Sequence, residues 1–419
     1  METKSCFLRR FAKLVGSCCL GLLTLGACTM TNGPIGNPEL PYPPTQPLDV
    51  GTIVHLPTGV VVSEEEMLAA VTDRRIVYVG ETHDNPASHR VQLAVVEAMA
   101  ERWPGMVSLG MEMLTPAQQP VLDRWVAGEL SEKEFLKQVK WYSTWAMDFA
   151  LYRDLLLLAR DRKIPVIGLN ADKDLVKAVG RKALAELTEE ERAKLPEMDM
   201  TDPYQTALVE AIYGGHAAGE GRLAGFQRVQ TLWDETMAEN VANHLLGCLD
   251  GTRRMVVLAG GNHIRYGFGI PRRVFRRLPT SYALVGSREV VVSKDKEERY
   301  MDVDIPGFPM PPYDYLVGIV YESLPVDKVK LGVRMEEQEG KVVVKEVVAG
   351  SAADQAGVQA GDVILAIDQE PVSDNFDLIY AVGQKAKGDK GTLEVERAGA
   401  KLTLKVEFQP LPASGAHKP

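Results

Sequence analysis

Four short apolar segments of the sequence each break at a glycine and lead to an acid, an amide or a histidine. The four junctions are Gly80-Glu81-Thr82-His83, Gly110-Met111-Glu112-Met113, Gly168-Leu169-Asn170 and Gly260-Gly261-Asn262-His263. In a parallel sheet the carboxyl ends of the strands lie along one edge, which is where open α/β folds bind their ligands. We therefore predict that Glu81, His83, Glu112 and His263 share one site.

Two kinds of chemistry suit this set of carboxylates and imidazoles. Glu81, His83 and His263 are candidate ligands for a divalent metal such as zinc or manganese. Without a metal, a carboxylate can orient a histidine that acts as a general base on water. The spacing does not choose between these hypotheses, because no two histidines form an HExxH pair on one helix. His89, in the helix after the first junction, is expected to be a partly exposed helical residue.

The spacing of apolar residues predicts an α/β fold for residues 49–300. Short apolar runs alternate with amphipathic helices, which is typical of a mainly parallel sheet with helices on both faces. The expected strands are Ile76–Val79, Met106–Leu109, Ile164–Leu169, Met255–Ala259 and Tyr282–Val285. Asp84 or Asn85 is a suitable N-cap, and Pro86 a suitable first residue, for the helix that follows the first strand. Residues 187–225 are glycine-rich and expected to be irregular.

The first 48 residues predict export and attachment to a membrane. Residues 1–27 combine basic residues, a short apolar core and the ending Leu25-Gly26-Ala27, and they resemble a bacterial lipoprotein signal peptide. Cleavage before Cys28 would leave its thiol to carry the lipid that anchors the protein. Thr29, in place of an aspartate, favours an outer-membrane lipoprotein that faces the periplasm or the cell surface. Residues 28–48 are expected to form an extended tether rich in Pro and Gly.

The C-terminal part of the sequence predicts a linker, a small β-rich domain and a tail. Prolines cluster in residues 301–324, which are expected to be the linker. Residues 325–410 resemble a bacterial PDZ domain, because they contain Ala356-Gly357-Val358 followed by Gly361-Asp362-Val363-Ile364. The resemblance implies that Leu331, Gly332 and Val333 form the loop that binds the terminal carboxylate of a peptide. Residues 411–419 are expected to be a disordered tail.

Longer motifs within residues 50–290 resemble the ChaN family of haem-binding bacterial lipoproteins. They are Val79-Gly80-Glu81-Thr82-His83-Asp84-Asn85-Pro86, Gly168-Leu169-Asn170-Ala171, Leu232-Trp233-Asp234-Glu235-Thr236-Met237-Ala238 and Ala259-Gly260-Gly261-Asn262-His263-Ile264-Arg265-Tyr266-Gly267. The resemblance implies haem iron ligated by a tyrosine, and a homodimer that encloses cofacial haem pairs. Tyr266 is the first candidate ligand, and Tyr213 beside His216 is the second. Candidate partners for the haem, including its propionates, are His263, Arg265, Arg272 and Arg273.

The ChaN family belongs to a superfamily with the erythromycin esterases and the Tiki proteases, so a hydrolase is the alternative function. Its catalytic residues would be Glu81, His83 and His263, with Glu112 and Asp234 in support. A serine mechanism is disfavoured, since the chain lacks a Gly-x-Ser-x-Gly motif. The favoured function is a membrane-anchored lipoprotein that binds haem for haem or iron uptake and binds peptides or proteins at its PDZ domain. A formal net charge of -10, without a basic run after the N-terminus, excludes nucleic acid as an expected partner.

Overall fold

A computed structural model describes residues 42–145, 147–214, 222–248, 251–300, 303–324 and 329–411. The first folded part is built on an eight-stranded sheet. Its strands are β1 (Ile53–His55), β2 (Val60–Val62), β3 (Ile76–Glu81), β4 (Val107–Met111), β5 (Val166–Gly168), β6 (Arg254–Gly260), β7 (Tyr282–Val292) and β8 (Tyr315–Tyr321). Their order across the sheet is β2-β1-β8-β7-β3-β6-β4-β5. The strands from β8 to β5 are parallel, whereas β1 and β2 pair antiparallel at one edge.

Helices cover both faces of this sheet. They are α1 (Glu64–Thr72), α2 (Pro86–Arg102), α3 (Gln119–Ala127), α4 (Glu132–Gln138), α5 (Trp141–Thr144), α6 (Arg153–Asp161), α7 (Lys173–Arg181), α8 (Glu189–Ala193), α9 (Pro203–Gly214), α10 (Leu223–Gly247), α11 (Gly261–Ile264) and α12 (Ile270–Arg277). Val77 and Val79 of β3 join an apolar core with α2, α3, α4 and α6, while Ile76 and Tyr78 join a second core with α10 and α12. Alternate residues of one strand are therefore buried on opposite faces, and the predicted α/β fold is confirmed.

The junction after β3 is held by a capped helix. The Asn85 side chain accepts a hydrogen bond from the first turn of α2 at 3.1 Å, and Pro86 is the first helical residue. The amide of Asn85 also donates to the Val320 carbonyl at 3.0 Å, which ties the junction to β8. Of the two expected caps, Asn85 is confirmed. Asp84 instead forms an ion pair of 2.7 Å with Lys296.

Gly168 allows the loop after β4 to pack against the end of β5. A Cβ at this position would clash with the Thr115 carbonyl oxygen and lie 2.5 Å from the Thr115 carbonyl carbon. Because both atoms belong to the backbone, they cannot move aside as the end of a flexible side chain can. The close approach brings the ends of β4 and β5 together at the carboxyl edge of the sheet.

The structure differs from the sequence prediction in three places. Residues Tyr315–Tyr321, which were expected to lie in the linker 301–324, form β8 within the main sheet. Strands β1 and β2 were not predicted, because each has only three residues and is too short to show an alternating pattern. The segment 187–225, expected to be irregular, contains α8 and α9, and α9 buries apolar residues such as Leu208 and Ile212.

Residues 329–411 form a small β-rich domain, as predicted. Its strands are β9 (Val333–Gln338), β10 (Lys341–Val347), β11 (Val363–Ile367), β12 (Glu370–Pro371), β13 (Lys390–Arg397) and β14 (Ala400–Glu407). The strand order is β14-β13-β11-β10-β9, with β12 paired to β11. Helices α13 (Ala352–Gln355) and α14 (Asn375–Gly383) complete the domain. Its core includes Val342, Ile364, Leu378, Leu393 and Phe408.

Several sequence predictions concern residues outside the described ranges. These are the signal peptide, Cys28, most of the tether, His216 and the tail after Leu411. Among the helices that the structure describes, none is both long enough and apolar enough to cross a membrane.

Candidate functional site

Glu81 ends β3, and its buried carboxylate holds three side chains around it. Nδ1 of His83 lies 2.6 Å from Oε1 of Glu81, and the Tyr152 hydroxyl donates to the same oxygen at 2.7 Å. The Gln92 amide donates to Oε2 at 2.5 Å. Because both carboxylate oxygens are hydrogen-bonded inside the protein, Glu81 is fixed and orients the His83 ring.

His89 of α2 lies directly behind this pair. Its Nδ1 is 2.9 Å from Oε1 of Gln92 and 3.5 Å from Oε2 of Glu81, and its Nε2 is 3.1 Å from the His83 carbonyl oxygen. His89 is buried, so the expectation that it is partly exposed is wrong. The first turns of α2 place polar side chains against the end of β3, where buried hydrogen bonds replace contact with solvent.

A second carboxylate–histidine pair comes from α10 and α11. Nδ1 of His263 lies 2.6 Å from Oδ1 of Asp234 and 3.0 Å from the Gln230 amide nitrogen. On the other side of the ring, Nε2 of His263 is 3.5 Å from Oε1 of Glu112. Oε2 of Glu112 accepts a hydrogen bond of 2.6 Å from the Gly260 N–H, which fixes this carboxylate at the end of β6.

Glu112 lies beside both imidazole rings. A Cβ on Gly260 would be 3.0 Å from Cε1 and Nε2 of His83 and 3.6 Å from Oε2 of Glu112. The His83 ring therefore lies over Gly260 next to Glu112, and His263 approaches the other oxygen of the same carboxylate. The structure thus brings Glu81, His83, Glu112 and His263 to one edge of the sheet. We call this set, together with Asp234, the histidine edge.

The buried charges of the histidine edge change the pKa of its histidines. Burial alone would lower the pKa of His83, but the hydrogen bond to Glu81 and the charge of Glu112 raise it to about 9. Burial also opposes a charge on His263, yet Glu112 and Asp234 raise its pKa above the ordinary value. Burial would raise the pKa of Glu81, but the neighbouring imidazoles lower it to about 2. At neutral pH, His83 is therefore an imidazolium paired with an ionised Glu81.

His83 is the member of the histidine edge that faces solvent. Its side chain is 32% exposed, whereas that of Glu81 is completely buried. The Trp145 ring packs edge-on against the His83 ring at 5.0 Å, and Trp233 packs against His263 at 6.0 Å. A protonated, partly exposed imidazole beside a fixed carboxylate can donate a proton or stabilise negative charge on a bound molecule.

The geometry does not fit the predicted metal site of Glu81, His83 and His263. Glu81 contacts Nδ1 of His83, and Nδ1 of His263 is taken by Asp234, so the three predicted ligands do not face a common point. Within the described ranges, no group of three or more His, Cys, Asp or Glu side chains is arranged to hold a metal ion. The structure therefore corrects the role of Glu81, which orients His83 from behind.

Tyr266, the first candidate haem ligand, lies on a separate aromatic surface. Its ring stacks on Phe268 at 5.3 Å and meets Phe308 edge-on at 4.8 Å. Tyr204, which is 46% exposed, stacks on the same Phe268 ring at 5.4 Å. We call these four residues the Tyr266 cluster. The backbone of Tyr266 has φ 60 and ψ 1, a left-handed conformation that is uncommon for a residue with a side chain.

The three arginines expected near the haem have different environments. Arg265 is half-buried; burial would lower its pKa, but the hydroxyls of Tyr313 and Tyr266 raise it. Arg273 is fully buried, and its Nε lies 3.0 Å from Glu235. The expectation that Arg273 meets a propionate is therefore wrong, because the guanidinium is already paired inside the protein. Arg272 forms an ion pair of 2.8 Å with Asp202.

Tyr213, the second candidate ligand, belongs to a different aromatic contact. It lies in α9, and its ring is 5.3 Å from Phe226 of α10. His216, its predicted neighbour in the site, is outside the described ranges. Phe226 and Tyr266 both pack against the apolar cluster that contains Leu208 and Ile212, so Tyr213 borders the surface that carries Tyr266.

The predicted carboxylate-binding loop of the β-rich domain precedes β9. Gly332 has φ 83, and a Cβ there would lie 2.6 Å from the Ser351 hydroxyl, so glycine is required by both conformation and space. Leu331 is buried and Val333 begins β9. Within the described part of the chain, the Leu331 and Gly332 N–H groups donate no hydrogen bond, which suits capture of a carboxylate.

Comparison with known families decides the nature of both folded parts. Residues 67–274 match the family described as haem-binding uptake, Tiki superfamily, ChaN. These residues belong to the ChaN family. Residues 329–408 match the PDZ domain family, so a PDZ domain follows the ChaN-family domain.

Each of the individual relatives matches only a portion of the chain. A structure of ChaN from Campylobacter jejuni, described as showing cofacial haem binding, has a TM-score of 0.49 and 16% identity over 64% of this chain and 98% of that chain. The probable periplasmic serine endoprotease DegP-like of Pseudomonas fulva is 35% identical over 97 residues, which are 23% of this chain and 20% of that protein. DegP of Escherichia coli is 26% identical over 166 residues, 40% of this chain and 30% of that protein. The chain thus spans 30% or less of the length of these two relatives.

Proposed function

We propose that this protein binds haem at Tyr266 and serves haem or iron uptake as a membrane-anchored lipoprotein. Membership of a haem-binding family supports the cofactor. The single observation that carries the proposal is the conformation and surroundings of Tyr266. A left-handed backbone costs a residue with a side chain about 1–2 kcal/mol and persists mainly at functional positions.

The Tyr266 cluster fits haem in shape and chemistry. Haem is a large, flat and mostly apolar ring, and Phe268, Phe308 and Tyr204 offer flat apolar faces beside a phenol. A phenolate oxygen is an established type of ligand for haem iron. When bound, haem would supply a ferric centre, and Tyr266 would hold the iron while the two phenylalanines contact the ring.

Arg265 supports this assignment through its charge. It follows directly after α11, and its guanidinium is close enough to the Tyr266 hydroxyl for the two to interact electrostatically. A neighbouring positive charge stabilises a phenolate, which is the form of tyrosine that binds ferric iron. Arg265, unlike Arg273, is not enclosed in a buried carboxylate pair and is the better candidate for a propionate.

The other parts of the chain give the proposed setting. Lipid on Cys28 would anchor the protein in the outer membrane, facing the periplasm or the cell surface. The PDZ domain would bind a peptide or a protein C-terminus at Leu331, Gly332 and Val333. The expected homodimer remains a prediction, and sedimentation velocity with and without haemin tests it.

Absorbance titration with haemin tests the haem proposal. The detergent-solubilised full-length chain should bind haemin saturably, and Tyr266→Phe should weaken the affinity about tenfold or more by removing the iron ligand. Tyr204→Phe is the matched control, because it removes a hydroxyl from the same cluster and keeps the ring. Equal affinity in wild type and Tyr266→Phe would remove Tyr266 from the site, and a selective loss in Tyr213→Phe would move the ligand to α9.

A second function, hydrolysis, is favoured by the histidine edge. The His83 imidazolium is partly exposed beside Glu112, and both are fixed by buried partners. In such a reaction Glu112 would accept a proton from water as the water attacks a carbonyl carbon. His83 would then donate its proton to the leaving group. This arrangement differs from the sequence hypothesis, in which a histidine is the base, because a group with a pKa of about 9 is protonated at neutral pH.

Ester and peptide substrates screened against wild type and variants test the second function. His83→Ala and Glu112→Gln should each abolish a true activity, whereas Tyr266→Phe should leave it unchanged. An activity that survives both substitutions at the histidine edge would belong to another site or to a contaminant. Haem binding that depends on Tyr266 and hydrolysis that depends on His83 are thus separately measurable.

A further inference from the structure

Helix α14 of the PDZ domain contacts α4 of the ChaN-family domain through ion pairs. Nζ of Lys137 lies 2.9 Å from Asp374 and 3.0 Å from Asp377, and Nζ of Lys133 lies 3.4 Å from Asp377. The Asp377 side chain is nearly buried. Burial alone would raise its pKa, but hydrogen bonds from Ser373 and Lys137 lower it to about 2. Asp377 therefore stays charged and needs its lysine partners, because an unpaired buried charge is costly.

An aromatic contact accompanies the ion pairs. The Phe376 ring lies 6.1 Å from Tyr142 of α5 and stacks on Tyr380 at 5.8 Å. Phe376 and Tyr380 both pack against the core of the ChaN-family domain, while Leu378 and Val382 of the same helix lie in the PDZ core. Helix α14 is thus shared between the two domains.

Helix α5 connects this contact to the histidine edge. Tyr142 contacts Phe376, and three residues later Trp145 packs against His83 at 5.0 Å between ring centres. The backbone N–H of Trp145, which is the C-cap of α5, donates to the Trp141 carbonyl at 2.7 Å, so this single turn joins Trp141 to Trp145. A displacement of Tyr142 would therefore be transmitted directly to Trp145.

Helix α5 is too short to hold this position by itself. It has four residues, follows Lys140 in a left-handed conformation with φ 55, and has no side-chain cap. A single helical turn is unstable in water, and the left-handed residue adds a cost of about 1–2 kcal/mol. Contacts with the rest of the protein must hold the turn. Trp141 is buried on the inner side, Lys173 donates to the Ser143 carbonyl at 2.6 Å, and Tyr142 packs against Phe376 on the outer side.

We propose that docking of the PDZ helix α14 positions Trp145 against His83, so that the PDZ domain is a structural part of the histidine edge. Trp145 is a positioning residue in this arrangement, since its ring limits the movement of the imidazole and its contact with water. The proposal goes beyond haem binding and does not depend on it. It assigns the PDZ domain a role that does not require a bound peptide.

Fluorine NMR of the full-length chain labelled with 5-fluorotryptophan tests this proposal. Trp145→Phe identifies the Trp145 resonance among the five tryptophans. Lys137→Ala removes the ion pairs from the α4 side, and Phe376→Ala removes the aromatic contact from the α14 side. Both should shift the Trp145 resonance and speed amide exchange in residues 141–145 about tenfold. Ile379→Ala is the matched control, because Ile379 lies on the same helix and is 46% exposed.

The two interface variants make the outcome decisive. If Phe376→Ala unfolds the PDZ domain, Lys137→Ala still tests the contact, because Lys137 lies outside that domain. Faster amide exchange in α14 with an unchanged Trp145 resonance would show that the domains separate without effect on the histidine edge. That result, or an equal shift in Ile379→Ala, would overturn the proposal.

Discussion

Nδ1 of His83 lies 2.6 Å from Oε1 of Glu81, which is completely buried at the end of β3. The same carboxylate accepts hydrogen bonds from Tyr152 and Gln92. Glu81 therefore serves as an orienting group behind the exposed imidazole rather than as a group that meets a substrate. This relationship raises the pKa of His83 and so determines the charge of its ring.

Replacing Glu81 by glutamine should lower the pKa of His83. Glu81 supplies the hydrogen bond that raises this pKa to about 9, and burial acts in the opposite direction. Without the carboxylate charge, the pKa should fall by at least about one unit. Titration of the His83 ring nitrogens by NMR measures the change. Glu64→Gln, at the exposed start of α1, is the control and should leave the His83 titration as in wild type.

The Glu81–His83 pair should make stability depend on pH in two opposite directions. The pKa of His83 is raised from 6.5 to about 9, so its contribution is complete below pH 6.5 and is lost as the pH rises through about 9. The pKa of Glu81 is lowered from 4.5 to about 2, so its contribution is complete above pH 4.5 and is lost as the pH falls through about 2. The pair should therefore stabilise the fold fully between about pH 4.5 and pH 6.5.

Urea denaturation of wild type and His83→Gln across the pH range measures this dependence. The difference in unfolding free energy between the two proteins should be constant from about pH 4.5 to 6.5 and shrink toward pH 9. Titrating groups away from the histidine edge affect both proteins alike, so the difference reports on His83 and on Glu81 and His263, which interact with it. A difference that grows as the pH rises toward 6.5 and then stays constant to pH 9 would show that the pKa of His83 is lowered in the folded protein.

Replacing Arg273 by methionine should destabilise the ChaN-family domain. The Arg273 side chain is fully buried; it pairs with Glu235 and donates to the Phe268 carbonyl at 2.6 Å. Removing one partner of a buried ion pair costs about 3–5 kcal/mol, although Arg276 and Arg277 also pair with Glu235 and reduce the loss. Urea denaturation should show a loss of about 3 kcal/mol.

Arg272→Met is the control for this prediction. Arg272 is 52% exposed, and an exposed ion pair contributes less than about 1 kcal/mol. Equal stability of Arg273→Met and wild type, together with weaker haemin binding, would restore Arg273 as a propionate partner.

Replacing Gly168 by alanine should disturb the carboxyl edge of the sheet. The new Cβ would clash with the Thr115 backbone, so the chain after β4 must move. Overpacking of this kind costs about 1–3 kcal/mol and sometimes more. Gly247→Ala at the end of α10 is the control, because its Cβ would have no heavy atom within 4 Å. Denaturation midpoints should fall for Gly168→Ala, while Gly247→Ala should remain within about 0.5 kcal/mol of wild type.

Local sequence patterns were sufficient to predict the centre of the fold. The apolar run Ile76–Val79, the break at Gly80 and the Asn85-Pro86 helix start are contained within a short stretch, so strand, junction and helix follow from it directly. Because parallel strands share one edge, the convergence of Glu81 and His263 also followed from the order of the elements. Strand β8 was not predicted, because Tyr315–Tyr321 directly follows the prolines that indicated a linker, although it pairs with the neighbouring strand β7.

The partners of the site residues were harder to predict than the residues themselves. Tyr152 reaches Glu81 from 71 positions away, and no local pattern distinguishes it from other core tyrosines. The contact between His89 and Gln92 could have been predicted, because residues three positions apart on a helix face the same side. His89 also follows the junction closely, which places both side chains near Glu81. The spacing of His263 and Arg273 does not reveal that one faces the site and the other a buried glutamate.

Resonance Raman spectroscopy of the haem complex tests the central claim, that the Tyr266 phenolate holds haem iron. At one equivalent of haemin, wild type and Tyr204→Phe should both show the vibrations of an iron-bound tyrosinate. Tyr266→Phe should lack them, even at haemin concentrations high enough to saturate the protein. Tyrosinate vibrations that persist in Tyr266→Phe would contradict the assignment and place the iron on another residue.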